Sequence, residues 1–146
     1  MKKIIILLGL ITLLTSCTKT LDLEIDGVGV QDSQIIASAE VEMLISEIDE
    51  QQIHYLLLNH GSQSFTYGLM FTIEVFHEGA WQNVALKKGV AFDAIGFTLE
   101  PMENVKGELD YFLYFPTLPK GQYRLVKALF NEELQMQFAV AIFSID

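Results

Sequence analysis

Three histidines, one cysteine and nineteen acids are the side chains of this 146-residue chain that could carry chemistry. His54, His60 and His77 are scattered, with no CxxC and no His-x-His pair to join them in a metal site. "HEGAW" opens as a two-histidine zinc helix would, but Trp81 stands where the second histidine belongs. Asp22, Glu24, Asp26 and Gly27 copy the start of a calcium loop, yet Ser33 occupies the place of its bidentate glutamate. Gly27 and Gly29 begin a G-x-G that Asp32 breaks, and no G-x-S-x-G is present. The paired acids Asp49/Glu50, Glu108/Asp110 and Glu132/Glu133 lie in or beside polar turns, where solvated charge is the ordinary state. Nothing here assembles a reaction, so no catalytic, metal or cofactor residues are assigned.

Cys17 is different. It follows "MKKIIILLGLITLLTS", in which Lys2 and Lys3 precede eleven apolar residues, Ile4 to Leu14, and two small ones, Thr15 and Ser16. That is a secretory signal layout, and the run is well short of the ~20 residues a membrane span needs. "LTSC" resembles the lipobox of bacterial lipoproteins. In that family the cysteine thiol takes a diacylglyceryl group and, after cleavage, becomes the first residue. The resemblance implies residues 1–16 as signal peptide and Cys17 as lipid attachment site, with the membrane as a partner reached through the lipid. Two acyl chains suffice for stable anchoring at about 0.8 kcal/mol per buried methylene.

With a single cysteine no disulfide can form within the chain, so the exported part must hold by packing alone. Loss of residues 1–16 takes two lysines and moves the formal charge from −10 to −12. Such a balance repels nucleic-acid phosphates and excludes nucleic acid as a partner. Membrane contact is accordingly expected through the lipid and not through a basic face.

The remaining residues must be positioned by strands. Residues 17–38 read as the lipidated cysteine and an acidic tether or edge strand, with Leu21, Leu23 and Ile25 alternating against Asp22, Glu24 and Asp26. "AEVEMLISEIDEQQIHYLLLNHG", residues 39–61, fits helical and strand periods equally well. Beyond them, "FTYGLMFTIEVF" predicts a strand with Leu69, Phe71, Ile73 and Val75 on one face. "HEGA" predicts a turn and "WQNVAL" the returning strand, and "AIGFTLE" predicts another before Pro101. "MENVKGE" reads as a polar turn and "LDYFLYF" as a strand carrying Leu109, Tyr111, Leu113 and Phe115 on one face. "QYRLVKALF" and "LQMQFAVAIFSI" close a pattern of about seven strands, an all-β sandwich over residues 39–146.

In "LPKGQYRL", Tyr123 starts a strand straight after a Pro/Gly connection, as the corner tyrosine of sandwich domains does, its hydroxyl bonding back to the loop. Glu74 and Arg124 are charges inside apolar strands and must either face water or be paired. Tyr111, Phe112, Tyr114 and Phe115 place rings on both faces of the strand expected there.

These stretches, with "LLLNHGSQSFTYG" and "FAVAIFSI", resemble the bacterial immunoglobulin-like domains of Gram-positive surface proteins over about residues 40–146. Asn59, Tyr67, Gly68, Glu74, Trp81, Pro101, Gly121, Tyr123 and Arg124 fall on that family's positions, with Asn59, Trp81, Gly121 and Tyr123 in structural roles. The resemblance implies an immunoglobulin-like sandwich and a binding or architectural role without chemistry. The expectation is a lipid-anchored protein on the extracytoplasmic face of the cell membrane, meeting a protein or envelope partner. The alternative is an exported inhibitor of a peptidase or other envelope enzyme.

Overall fold

The computed structural model describes residues 23–28, 35 and 37–146; Cys17 and the signal segment lie outside them. In the stretch where helix and strand periods tie, strands form. β2 (Val41–Ile48) and β3 (Gln52–Asn59) make an antiparallel hairpin. Its turn is fixed by Asp49, whose Oδ1 accepts from the backbone N–H of Gln51 at 2.8 Å and of Gln52 at 2.7 Å. The hairpin lays Val41, Met43, Ile53, Tyr55 and Leu57 inward, which a helix could not do with the same residues.

The long strand expected over residues 65–76 is broken. β4 (Phe65–Gly68) and β5 (Thr72–His77) both run along one edge of β9 (Gly121–Asn131). Thr66 faces Phe130 and Glu74 faces Arg124, so Leu69–Phe71 bulge out of the ladder between them. The two halves then part company on their outer edges. β4 pairs with β7 (Gly96–Leu99), and β5 with β6 (Ala80–Val84). Between β5 and β6, Glu78 and Gly79 have φ of 51° and 80°, the paired left-handed values of a two-residue hairpin turn.

β10 (Met136–Ile145) covers the other edge of β9 for its whole length. β1 (Ile25–Val28), within the segment read as tether or edge strand, pairs with β6 at the margin of the sheet. The result is a seven-stranded antiparallel sheet, β1-β6-β5-β9-β4-β7 with β10 on β9.

β8 (Asn104–Asp110) completes a three-stranded sheet, β2-β3-β8, and here two expectations are corrected. The stretch read as a polar turn is mostly strand, and the stretch read as strand becomes a single helical turn, α1 (Tyr111–Tyr114). Asp110 caps that turn by accepting from Leu113 N at 3.1 Å, and Phe115 N closes it on Tyr111 O at 2.7 Å. Tyr111 and Phe115, four apart, both reach the core, whereas Phe112 and Leu113 face water. Alternation and a one-turn helix bury the same two rings, so the pattern could not separate them.

The two sheets enclose one core in which Ile53, Leu57, Phe65, Ile73, Leu99, Tyr123, Leu125 and Leu129 are fully buried. Gly107 serves the packing directly: a Cβ there would lie 2.2 Å from the Tyr55 ring, which crosses the strand at that point.

Candidate functional site

The polar groups inside this sandwich are held by named partners, and most sit on β9. Glu74 and Arg124 face each other across β5 and β9, and both are buried. The Arg124 Nε donates to Glu74 Oε2, and its guanidinium lies 4.6 Å from the Trp81 ring centre. Trp81 comes from β6, the next strand over, where it faces Phe76 while Asn83 faces Glu74, so its ring meets the guanidinium diagonally across β5. Such a pair carries little net charge and exposes no nucleophile.

Lys127 points to the opposite face of β9, into the core, and is 1 % exposed. Its Nζ donates to Gly68 O at 2.6 Å and lies 3.7 Å from the centre of the Phe71 ring. Gly68 ends β4 and Phe71 lies in the bulge that follows, so the lysine bonds the chain where β4 and β5 part. Burial pushes its pKa down to about 7; the carbonyl and the ring face favour the charged form. The sequence reading missed Lys127. Its signal was parity: Tyr123, Leu125, Lys127 and Leu129 share one face of a strand whose apolar members must be inward.

Tyr123 is fully buried, and its hydroxyl donates to Pro119 O at 2.6 Å. Burial pushes this phenol up to about 12. Gly121 opens β9 opposite Ile145, two residues before that ring. Asn59 ends β3 and ties together the other end of the domain. Its Nδ2 donates to Gln63 O and Glu100 O, both at 2.9 Å, while Oδ1 accepts from Gly61 N at 3.0 Å. Gly121 and Tyr123 therefore adjoin at the start of β9, Asn59 and Trp81 stand elsewhere in the fold, and the four form no common cleft. Cys17 lies outside the described residues.

The outer face of the three-stranded sheet carries the described histidines nearest to acids. A cleft of about 460 Å³ is lined there by Ser46, Glu47, His54, Lys106 and Glu108 among others. His54 Nδ1 lies 3.6 Å from Glu108, and Nε2 lies 3.9 Å from Asp49. His60 lies 3.1 Å from Glu42. The Gln51 and Gln52 amides hold the Asp49 carboxyl below the usual carboxylate range. These are solvent-exposed pairs, which water and salt screen. Among the described residues no three His, Cys, Asp or Glu side chains are grouped to hold a metal ion.

Two antiparallel sheets around a core with a corner tyrosine define an immunoglobulin-like sandwich. The chain belongs to the bacterial Ig-like domain family, whose model matches residues 36–139. Among solved structures it is similar to the archaellum periplasmic stator protein FlaG from Sulfolobus acidocaldarius. The identity is 14%, over 70% of this chain and 99% of that one, with a TM-score of 0.40. A chain of the archaellum periplasmic stator protein complex of FlaF and FlaG from the same organism gives 15% identity over 79% of this chain and 96% of that one, again at 0.40. No curated protein sequence matches the chain.

Proposed function

We propose that this is an exported lipoprotein, held by a diacylglyceryl group on Cys17 at the extracytoplasmic face of the membrane. Its bacterial Ig-like domain acts there as a non-catalytic binding or architectural module. The observation that carries the reading is the order of the chain: a lipobox-like "LTSC" stands eight residues before the first strand of the sandwich. The interior polar groups support it, because Glu74, Arg124, Lys127, Tyr123 and Asn59 are bonded within the fold. The partner meets the domain through exposed surface, not through a cleft that assembles those groups.

The test is the mass of the protein purified from a bacterial envelope. The expected product begins at Cys17 and carries the added mass of a diacylglyceryl group. A free thiol at Cys17, or a chain that retains residues 1–16 unmodified, would refute the anchoring.

A further inference from the structure

Only seven residues, Thr18 to Glu24, separate Cys17 from the first residue of β1. Fully extended they span about 25 Å, so a domain anchored at Cys17 is held close to the bilayer with one side turned toward it. The place where the chain enters the fold marks that side. Glu24 O accepts from Ala85 N at 3.0 Å, and two residues further on Lys87 N donates to Tyr114 O at 2.8 Å. The Lys87 ammonium also caps the Phe112 carbonyl and lies 4.2 Å from the Phe112 ring centre. Entry point, Ala85–Lys88 and α1 are thus one contiguous strip.

On this strip three large apolar side chains face water. Leu86 is 40 %, Phe112 47 % and Leu113 52 % exposed. The core does not require them, since Tyr111 and Phe115 supply the buried part of the turn. Lys87 and Lys88 lie beside them, in a domain whose described exposed surface has few other cations. We propose that Leu86, Phe112 and Leu113, with Lys87 and Lys88, form a membrane-apposed surface that rests on the headgroup boundary of the anchoring bilayer.

The proposal rests on the anchoring of Cys17 and adds to it an orientation. The apolar tips enter the boundary region and the exposed Lys88 brings its ammonium to the phosphates, while the Lys87 ammonium holds the Phe112 carbonyl beneath them. Asp110 and Glu24 flank the strip, which keeps the contact shallow and driven by apolar burial more than by charge. The acidic remainder of the domain is repelled by anionic headgroups and turns outward.

The experiment uses the lipidated full-length protein in vesicles of phosphatidylethanolamine and phosphatidylglycerol containing a headgroup-proximal nitroxide lipid quencher. Leu113→Cys and Leu134→Cys each give a single labelling thiol, since lipidation consumes that of Cys17. Leu134 is 80 % exposed and sits in the β9–β10 hairpin, at the end of β9 remote from the α1–β9 connection. A fluorophore at position 113 is expected to be quenched about threefold or more over one at 134, consistent with shallow apolar insertion. Equal quenching in protein whose Cys17 carries lipid would overturn the surface and leave the anchoring intact. Protein with no lipid on Cys17 would overturn the anchoring and the surface with it. Shielding of the 113 label without vesicles, rising with protein concentration, would assign the strip to a second copy and also overturn the proposal.

Discussion

β9 buries two cations three residues apart, and they are compensated in opposite ways. Arg124 projects from one face of the strand onto a carboxylate, Glu74, with Trp81 over its guanidinium. Lys127 projects from the other face into the core and has a backbone carbonyl and a ring. A paired charge mostly trades Coulomb energy against desolvation, and its cost appears when one partner is removed. A cation held by dipoles alone keeps a desolvation cost that varies with its protonation. The difference makes the first region sensitive to mutation and the second sensitive to pH.

The largest effect is expected from breaking the pair. Glu74→Ala leaves the Arg124 charge buried and should lose about 3–5 kcal/mol of unfolding free energy in denaturant titration. The double replacement Glu74→Leu with Arg124→Met should recover much of that loss. A double variant as unstable as the sum of its singles would show that the two residues are not energetically coupled.

Next comes the pH dependence of Lys127. Its pKa of about 7 lies below the ordinary 10.5, so between these values the unfolded chain binds the extra proton. Stability from this site is therefore lowest below pH 7 and rises as pH climbs from 7 toward 10.5, by up to about 1.4 kcal/mol per unit. Tyr55 and Tyr123 work the other way. Burial pushes both phenols up to about 12, so their contribution is complete below pH 10 and is lost as pH rises from 10 to 12. Unfolding free energy should thus increase from pH 7.5 to 9.5 and fall above 10. In Lys127→Met the rise should flatten; an unchanged slope would remove Lys127 as its source.

The smallest effect sharpens the contrast with a neutral group on the same strand. Tyr123→Phe strands the Pro119 carbonyl and should cost about 1–3 kcal/mol, with the pH 7.5–9.5 slope unaltered. No change in stability would mean that the hydroxyl contributes nothing to the corner.

Much of this was legible in the chain. "HEGA" with Gly79 marked a hairpin turn because two successive positive φ values favour glycine, and "QYRLVKALF" alternated over a single long strand. Glu74 and Arg124 stood out as charges within apolar runs. Their partnership was not legible, because fifty residues separate them and only the β5–β9 register places them opposite. Lys127 escaped notice for a related reason: its carbonyl partner exists only where β4 and β5 part. Around α1, the burial of Tyr111 and Phe115 satisfied two periods at once, and Asp110 decided between them by capping a turn.

The order of residues alone determined an all-β module without disulfides behind a signal-like segment ending at Cys17, because apolar alternation, turn chemistry and composition are local properties. The tertiary structure decided which charges are paired, which lysine is buried and which apolar side chains remain in water beside the chain's entry. Those outcomes depend on strand register and on the space left between sheets, and both arise only when distant segments pack against one another.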